Sequence, residues 1–163
     1  MWKNDRMNLF IRTMGKRIGP KAETEEGRKK LLVVDGEPYW FSADMALYFN
    51  YYILQAYDCS SYADLDNRFS QLVLQFSSKQ TEEEIAKKLI VTENFEAHSG
   101  TGGVTFTTRD GQSVPSYLGM ATWQPLNGRK GGIGSYHMEK DYAANPVYKY
   151  LRKGIQLMNP AVK

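Results

Sequence analysis

The segment Asn127-Gly128-Arg129-Lys130-Gly131-Gly132-Ile133-Gly134 is the first place where residue type and spacing suggest chemistry. Glycines let backbone N–H groups approach an anion closely, and Arg129 and Lys130 add positive charge. No Gly-Lys-Ser/Thr follows at the spacing of a nucleotide-binding loop, and no clear strand and helix flank the segment. The expected chemistry is contact with a phosphate backbone or an acidic neighbour. Arg12, Lys16 and Arg17, with Lys21 beside them, form a second basic patch, and Lys149, Arg152 and Lys153 a third. Together with Arg129 and Lys130, these are the residues expected to bind nucleic acid or a partner protein.

The whole chain carries a formal net charge of +3, which conceals its layout. Residues 1–30 hold nine Lys/Arg and four Asp/Glu, residues 31–100 hold four and eleven, and residues 101–163 hold eight and three. The segment charges are therefore +5, −7 and +5. Two basic ends around an acidic middle point to partners: another copy of the chain, a neighbouring structural protein, or DNA phosphate.

Other reactive types are sparse. Cys59 is the single cysteine, so no internal disulfide forms and a reducing compartment is expected. His98 and His137 lie far apart, with no carboxylate at ligand spacing to either, so no metal or cofactor is expected. Asp64, Asp66 and Glu82–Glu84 read as helix-surface or capping acids, and no pair among them is assigned to glycoside cleavage. The first residues lack the apolar run of a secretory signal, and the longest apolar stretch, Met45–Leu54, is too short to span a membrane.

Two local strings resemble known families. Tyr57-Asp58-Cys59-Ser60-Ser61 resembles the Asp-Cys-Ser-Gly nucleophile motif of NlpC/P60 peptidases, with Ser61 in place of the glycine. That resemblance implies a cysteine hydrolase with Cys59 as nucleophile and His98 as its histidine. Val34-Asp35-Gly36-Glu37-Pro38-Tyr39-Trp40-Phe41, followed by Ser42-Ala43-Asp44, resembles the opening of the Bro-N domain of phage antirepressors. It implies a hairpin feeding a helix, and DNA binding.

The elements that must position these residues follow from periodicity. Met7, Phe10, Ile11, Met14 and Ile18 form a helical stripe capped by Asn4 or Asp5 and ended by Gly19-Pro20. Leu31–Val34 and Tyr39–Phe41 flank an Asp-Gly turn and predict a first hairpin. A helix from Ser42 to about Tyr57, apolar nearly all round, is expected to be central and buried. A third helix follows Ser60 or Ser61, with Tyr62, Leu65, Phe69, Leu72, Val73 and Phe76 on one face. Thr81 and Glu84 form a capping box for a fourth helix reaching about Ile90. Residues 104–118 predict a second hairpin, residues 119–145 a long loop, and Asn145-Pro146 opens a last helix with Val147, Leu151, Ile155 and Met158 inward.

The fold expected is α+β, with four to five helices around a central buried helix and two small β-hairpins, in a single domain over residues 1–163. That domain is read as a basic N-terminal helix, an acidic helical middle, and a basic glycine-rich loop with the C-terminal helix. The function expected is a non-enzymatic structural or assembly protein, cytoplasmic or in a virion. Its style is similar to that of small bacteriophage components such as head–tail connector or ring proteins. The alternatives are a DNA-binding regulator or small phage-encoded inhibitor, and a cysteine hydrolase.

Overall fold

A computed structural model describes residues 5–160. The elements in chain order are α1 (Asp5–Gly15), α2 (Glu25–Arg28), β1 (Val33–Gly36), β2 (Tyr51–Gln55), α3 (Tyr62–Phe76), α4 (Glu82–Lys88), β3 (Leu89–Asn94), β4 (Thr105–Thr107), β5 (Ser113–Pro115), α5 (Ser116–Thr122), β6 (Gly132–Tyr136) and α6 (Lys149–Met158). Three-ten turns occupy Pro38–Trp40, Ala43–Tyr48 and Met138–Ala143. The main sheet has four strands in the order β1-β2-β3-β6, and β4 and β5 form a separate antiparallel pair. β1 pairs with β2, and β3 with β6, in parallel.

This is a parallel sheet alternating with helices. The expected bundle around a central helix, with hairpins beside it, is therefore wrong. Residues 42–57 form a three-ten turn followed by strand β2. Asn50 explains the switch: its backbone N–H donates to the Leu32 carbonyl (2.7 Å), and its side-chain oxygen accepts from the Leu32 N–H (2.8 Å). That clamp sets Val33 opposite Tyr51, and β2 then buries alternate residues, Tyr52 and Leu54. A short apolar run fits a buried strand as well as a buried helix until its partner is known.

The first predicted hairpin is also absent. Gly36 has φ +123°, but the chain runs on into the turn at Pro38–Trp40, with Trp40 N–H donating to the Glu37 carbonyl (3.0 Å). The Bro-N-like string thus has the residues of a hairpin without its pairing. The expected long loop at 119–145 contains the end of α5, strand β6 and a three-ten turn. Gly132 and Gly134 in β6 sit opposite Ile90 and Thr92. Glycine is depleted in strands, so Gly-Gly-Ile-Gly reads as loop in isolation.

The chain divides into two compact units. The first comprises residues 1–54, 69–89 and 126–131. Its core joins Met45, Phe49, Tyr52, Leu72, Phe76 and Ile85, all buried. Rings of Phe41, Phe49, Tyr52 and Phe76 follow one another at centroid distances of 5.2–6.3 Å. The Tyr52 hydroxyl lies between the Ala46 carbonyl and the Gln80 side-chain oxygen, so the ring is buried without stranding its polar tip. Lys88 donates to the Phe49 carbonyl (2.9 Å), tying α4 beneath the three-ten turn. The Thr81–Glu84 capping box starts α4, which ends at Lys88 where β3 begins. Asn4, the alternative cap for α1, lies outside the described residues.

The second unit comprises residues 55–68, 90–125 and 132–163. Leu65, Phe95, Phe106, Tyr117, Met120 and Trp123 fill its core, and Trp123 donates its indole N–H to Asp66 (2.8 Å). The last helix turns differently from its apolar stripe: Ile155 is 60% exposed, whereas Gly154 is buried against the Tyr117 ring. A Cβ on Gly154 would lie 2.5 Å from that ring. Replacing Gly154→Val should overpack this contact and destabilise the fold by about 1–3 kcal/mol. Thermal unfolding should show a lowered Tm, and an unchanged Tm would mean α6 packs elsewhere.

Candidate functional site

In parallel α/β sheets, ligands bind outside the carboxyl ends of the strands, because parallel pairing brings all those ends to one side. In the second unit these ends carry Tyr57 and Asp58 after β2, Glu93 and Asn94 closing β3, and Tyr136 closing β6 with His137 and Glu139 beyond it. Asn94 and Tyr136 are register partners at the last paired position of β3 and β6. Asn94 is half-buried, and Tyr136 is 47% exposed with its ring edge-to-face against His137, 4.2 Å between centroids. An amide and a phenol side by side offer hydrogen bonds and an apolar ring to the same ligand. In the first unit, Glu37 follows β1.

Two carboxyls here have opposite character. Glu93 is fully buried, taking a hydrogen bond from the Ser116 hydroxyl and another from the Asn94 N–H (2.7 Å). Burial raises its pKa, against the pull of those hydrogen bonds and of His98; the nearby Asp58 adds to the rise. Gly103, at φ +107°, makes room for the pair, since a Cβ there would strike the Ser116 oxygen and Glu93. Glu139 is exposed and its pKa is lowered, by its own backbone N–H first and then by His137, whose Nδ1 lies 2.7 Å away. Asp58, at φ +63°, places its carboxylate 3.7 Å from His98 Nε2.

Cys59 does not have the setting of a nucleophile. It is buried, and burial pushes its thiol up to about 11, outweighing the favourable charge of Arg68. A thiolate, not a thiol, attacks carbonyls. The histidine of the peptidase-like reading pairs with Asp58. Among the described residues, no cluster of three His, Cys, Asp or Glu side chains could hold a metal ion, and no helix is long and apolar enough to cross a membrane.

The basic residues singled out from sequence fall in both units. Arg12, Lys16 and Arg17 are exposed in the first unit, where Lys16 lies 3.8 Å from Glu23 and the Arg12 charge acts on Asp44. Arg12 and Lys21 line one cavity of about 450 Å³ with Asp44, Leu47 and Tyr48. Arg129 is exposed, but Lys130 is only 3% exposed, and burial first, then Arg129, lowers its pKa to about 7. Lys149, Arg152 and Lys153 are exposed on α6 in the second unit, with Lys149 over the Tyr150 ring. None of the eight stands in the last residues of a parallel strand. The strand-end residues were missed because β2 read as helix and β6 as loop; the Val-Thr-Glu-Asn run of β3 carried the one available sequence signal.

Residues 2–157 match the model of glycoside hydrolase family 18, BT1044-like. No curated protein matches the sequence. Among solved structures, the chain is similar to a selenomethionine-labelled glutamate-to-glutamine variant of BT1044, at 31% identity and TM-score 0.79, over 96% of this chain and 45% of that one. It is also similar in fold to an endo-beta-N-acetylglucosaminidase from Cordyceps militaris. A doubly substituted form of that protein, in complex with fucosyl-N-acetylglucosamine-Asn, gives 22% identity and TM-score 0.63, over 97% of this chain and 54% of that one. Its apo form gives 23% and 0.60, over 92% and 49%. The chain thus spans about half the length of these structures.

These likenesses overturn the expected function. A glycoside hydrolase-like protein with a TIM-barrel-like fold replaces the non-enzymatic phage structural protein, and nothing supports a virion component or a connector. The DNA-binding regulator and cysteine hydrolase alternatives fall with it.

Two outcomes follow from these side chains. Native Cys59 should resist iodoacetamide at pH 7.5 and react once the chain is unfolded; fast alkylation of the native protein would restore a nucleophile there. Glu93 keeps its proton in the folded chain at pH values where the unfolded chain has lost it. Its burial therefore costs stability above the ordinary carboxylate range and nothing below it. Glu93→Gln should raise Tm at pH 7 and leave it unchanged near about pH 4; an equal change at both would show that the carboxyl is not titrating.

Proposed function

The chain belongs to glycoside hydrolase family 18, BT1044-like, and from that premise we propose that its strand ends bind the N-acetylglucosamine part of a glycan undergoing glycosidic bond hydrolysis. The observation that carries this reading is the Asn94–Tyr136 register pair, a hydrogen-bonding amide beside an exposed aromatic ring at the carboxyl end of two parallel strands. A pyranose has C–H groups for the ring to cover and hydroxyl or acetamide groups for the amide to bind. The substrate class is suggested by the Cordyceps militaris enzyme, whose name and bound fucosyl-N-acetylglucosamine-Asn carry that sugar.

In glycoside hydrolysis a carboxylic acid protonates the leaving oxygen, and in family 18 the substrate itself assists. Of the two carboxyls with clear character, Glu93 has its pKa raised by burial but is sealed beneath Ser116, and Glu139 is open but has its pKa lowered. Their part in the reaction is to shape and orient the site: Glu93 fixes the last turn of β3 and the start of α5, and Glu139 orients His137 beneath Tyr136.

Calorimetric titration with fucosyl-N-acetylglucosamine-Asn, and with a longer N-acetylglucosamine oligosaccharide, tests the reading. Saturable binding is expected. Tyr136→Ala should weaken it about tenfold, or ~1.4 kcal/mol, without lowering Tm. Absence of binding by the wild-type chain, or an unaltered affinity in Tyr136→Ala, would overturn the assignment.

A further inference from the structure

The basic patch that begins on α1 has no part in the Asn94–Tyr136 site, which is built in the other unit. It does wall a cavity. Arg12, in the last turn of α1, and Lys21, in the segment that follows, enclose about 450 Å³ with Asp44, Leu47 and Tyr48 of the three-ten turn Ala43–Tyr48. All five residues belong to the first unit. The walls are tied together. Gly15 brings α1 so close to the Tyr48 ring that a Cβ would lie 2.1 Å from it. The Ser42 hydroxyl donates to the Asn8 side-chain oxygen (3.0 Å), joining the turn to the same helix. The Lys21 segment is held by the Ala22 N–H on the Gly19 carbonyl (3.1 Å) and by Arg28 on the Ala22 carbonyl (2.9 Å). A site whose walls are already fixed loses little freedom when a ligand enters.

The charges of this cavity do not cancel. Asp44 is committed to Lys79, 2.9 Å away; that pair is the first cause of its lowered pKa, and Arg12 the last. Among the described residues, neither Arg12 nor Lys21 has an ion-pair partner. Lys88 adds a further cation beside the turn, donating to the Ala46 and Phe49 carbonyls. Its pKa is lowered by burial and then by Lys21, against Glu84. Lys21 is thus repelled by a cation of the fold itself, and an anion in the cavity relieves that repulsion. Arg12 supplies a planar fork for an oxyanion, and Lys21 a point charge. Asp44, neutralised by Lys79, still accepts hydroxyl donors, while Leu47 and the Tyr48 ring offer apolar surface to C–H groups. Sites for organic ligands run from about 300 to about 1,000 Å³, so this cavity takes a body larger than the anion alone. We propose that it binds an acidic sugar, a small hydroxylated molecule whose carboxylate or phosphate lies between Arg12 and Lys21. The inference rests on the first unit alone and not on the glycan reading at the strand ends.

Calorimetric titration at low ionic strength with glucuronate, glucose 6-phosphate, glucose and inorganic phosphate tests it. Saturable binding of an acidic sugar is expected, weakening as salt is added, with glucose and inorganic phosphate each at least tenfold weaker. Either acidic sugar as the tighter ligand supports the site and tells carboxylate from phosphate. Arg12→Gln and Lys21→Gln, both at exposed positions, should each weaken binding at least tenfold at an unchanged Tm. Lys153→Gln and Tyr136→Ala, in the second unit, should leave it unaltered. No binding of either acidic sugar overturns the proposal, as does equal binding of glucose or of inorganic phosphate, or wild-type affinity in Arg12→Gln. An equal loss in Lys153→Gln would show a response to net charge alone, and a loss in Tyr136→Ala would seat the ligand at the strand ends; either result also overturns it.

Discussion

Parallel pairing is the constraint on which the rest of this molecule depends. A strand that runs parallel to its neighbour cannot be joined to it by a tight turn, so each connection must carry the chain back to the starting end. Between β1 and β2 this return is made by two three-ten turns; between β2 and β3, by α3 and α4; and between β3 and β6, by the β4–β5 hairpin and α5. The connections become the helical covering, and the strand ends become the site. Neither had to be separately encoded.

The price of short strands is that single side chains must hold the register. Asn50 does so for β1 and β2 by bonding both backbone groups of Leu32. At the far end of β3, Glu93 holds the next backbone N–H and the first residue of α5. Burying a carboxyl is costly unless hydrogen bonds compensate it; Glu93 gains two, and burial still raises its pKa. Close approach supplies the remainder of the fit: Gly119 lies against Phe106, and Gly154 against Tyr117, at distances that no side chain would allow.

Some of the charged residues pair with near neighbours within their own segment. Lys79 pairs with Asp44 at 2.9 Å, Lys29 with Glu25 at 3.4 Å, and Lys16 with Glu23 at 3.8 Å. Exposed pairs of this kind contribute little to stability. The Arg129–Lys130 loop has a packing role beside its charge. Glycines and cations together suggest an anion site, but Lys130 is buried, and Gly131 is small because the Lys87 carbonyl passes 2.5 Å from where a Cβ would sit.

What the sequence determined by itself was local. The stripe of α3, with Leu65, Phe69, Leu72 and Phe76 all buried, and the Thr81–Glu84 capping box at α4 were legible because helical hydrogen bonds close within four residues. The hairpin at Thr105–Pro115 was legible because its strands are joined by a short turn. Tertiary structure alone decided that Tyr51–Gln55 is a strand and not a helix, that Gly132–Tyr136 is a strand and not a loop, and hence that Asn94 and Tyr136 meet. A parallel strand takes its hydrogen bonds from residues far along the chain, here Leu32 for Asn50 and β3 for β6. Neither apolar spacing nor composition within the strand records which distant segment that will be.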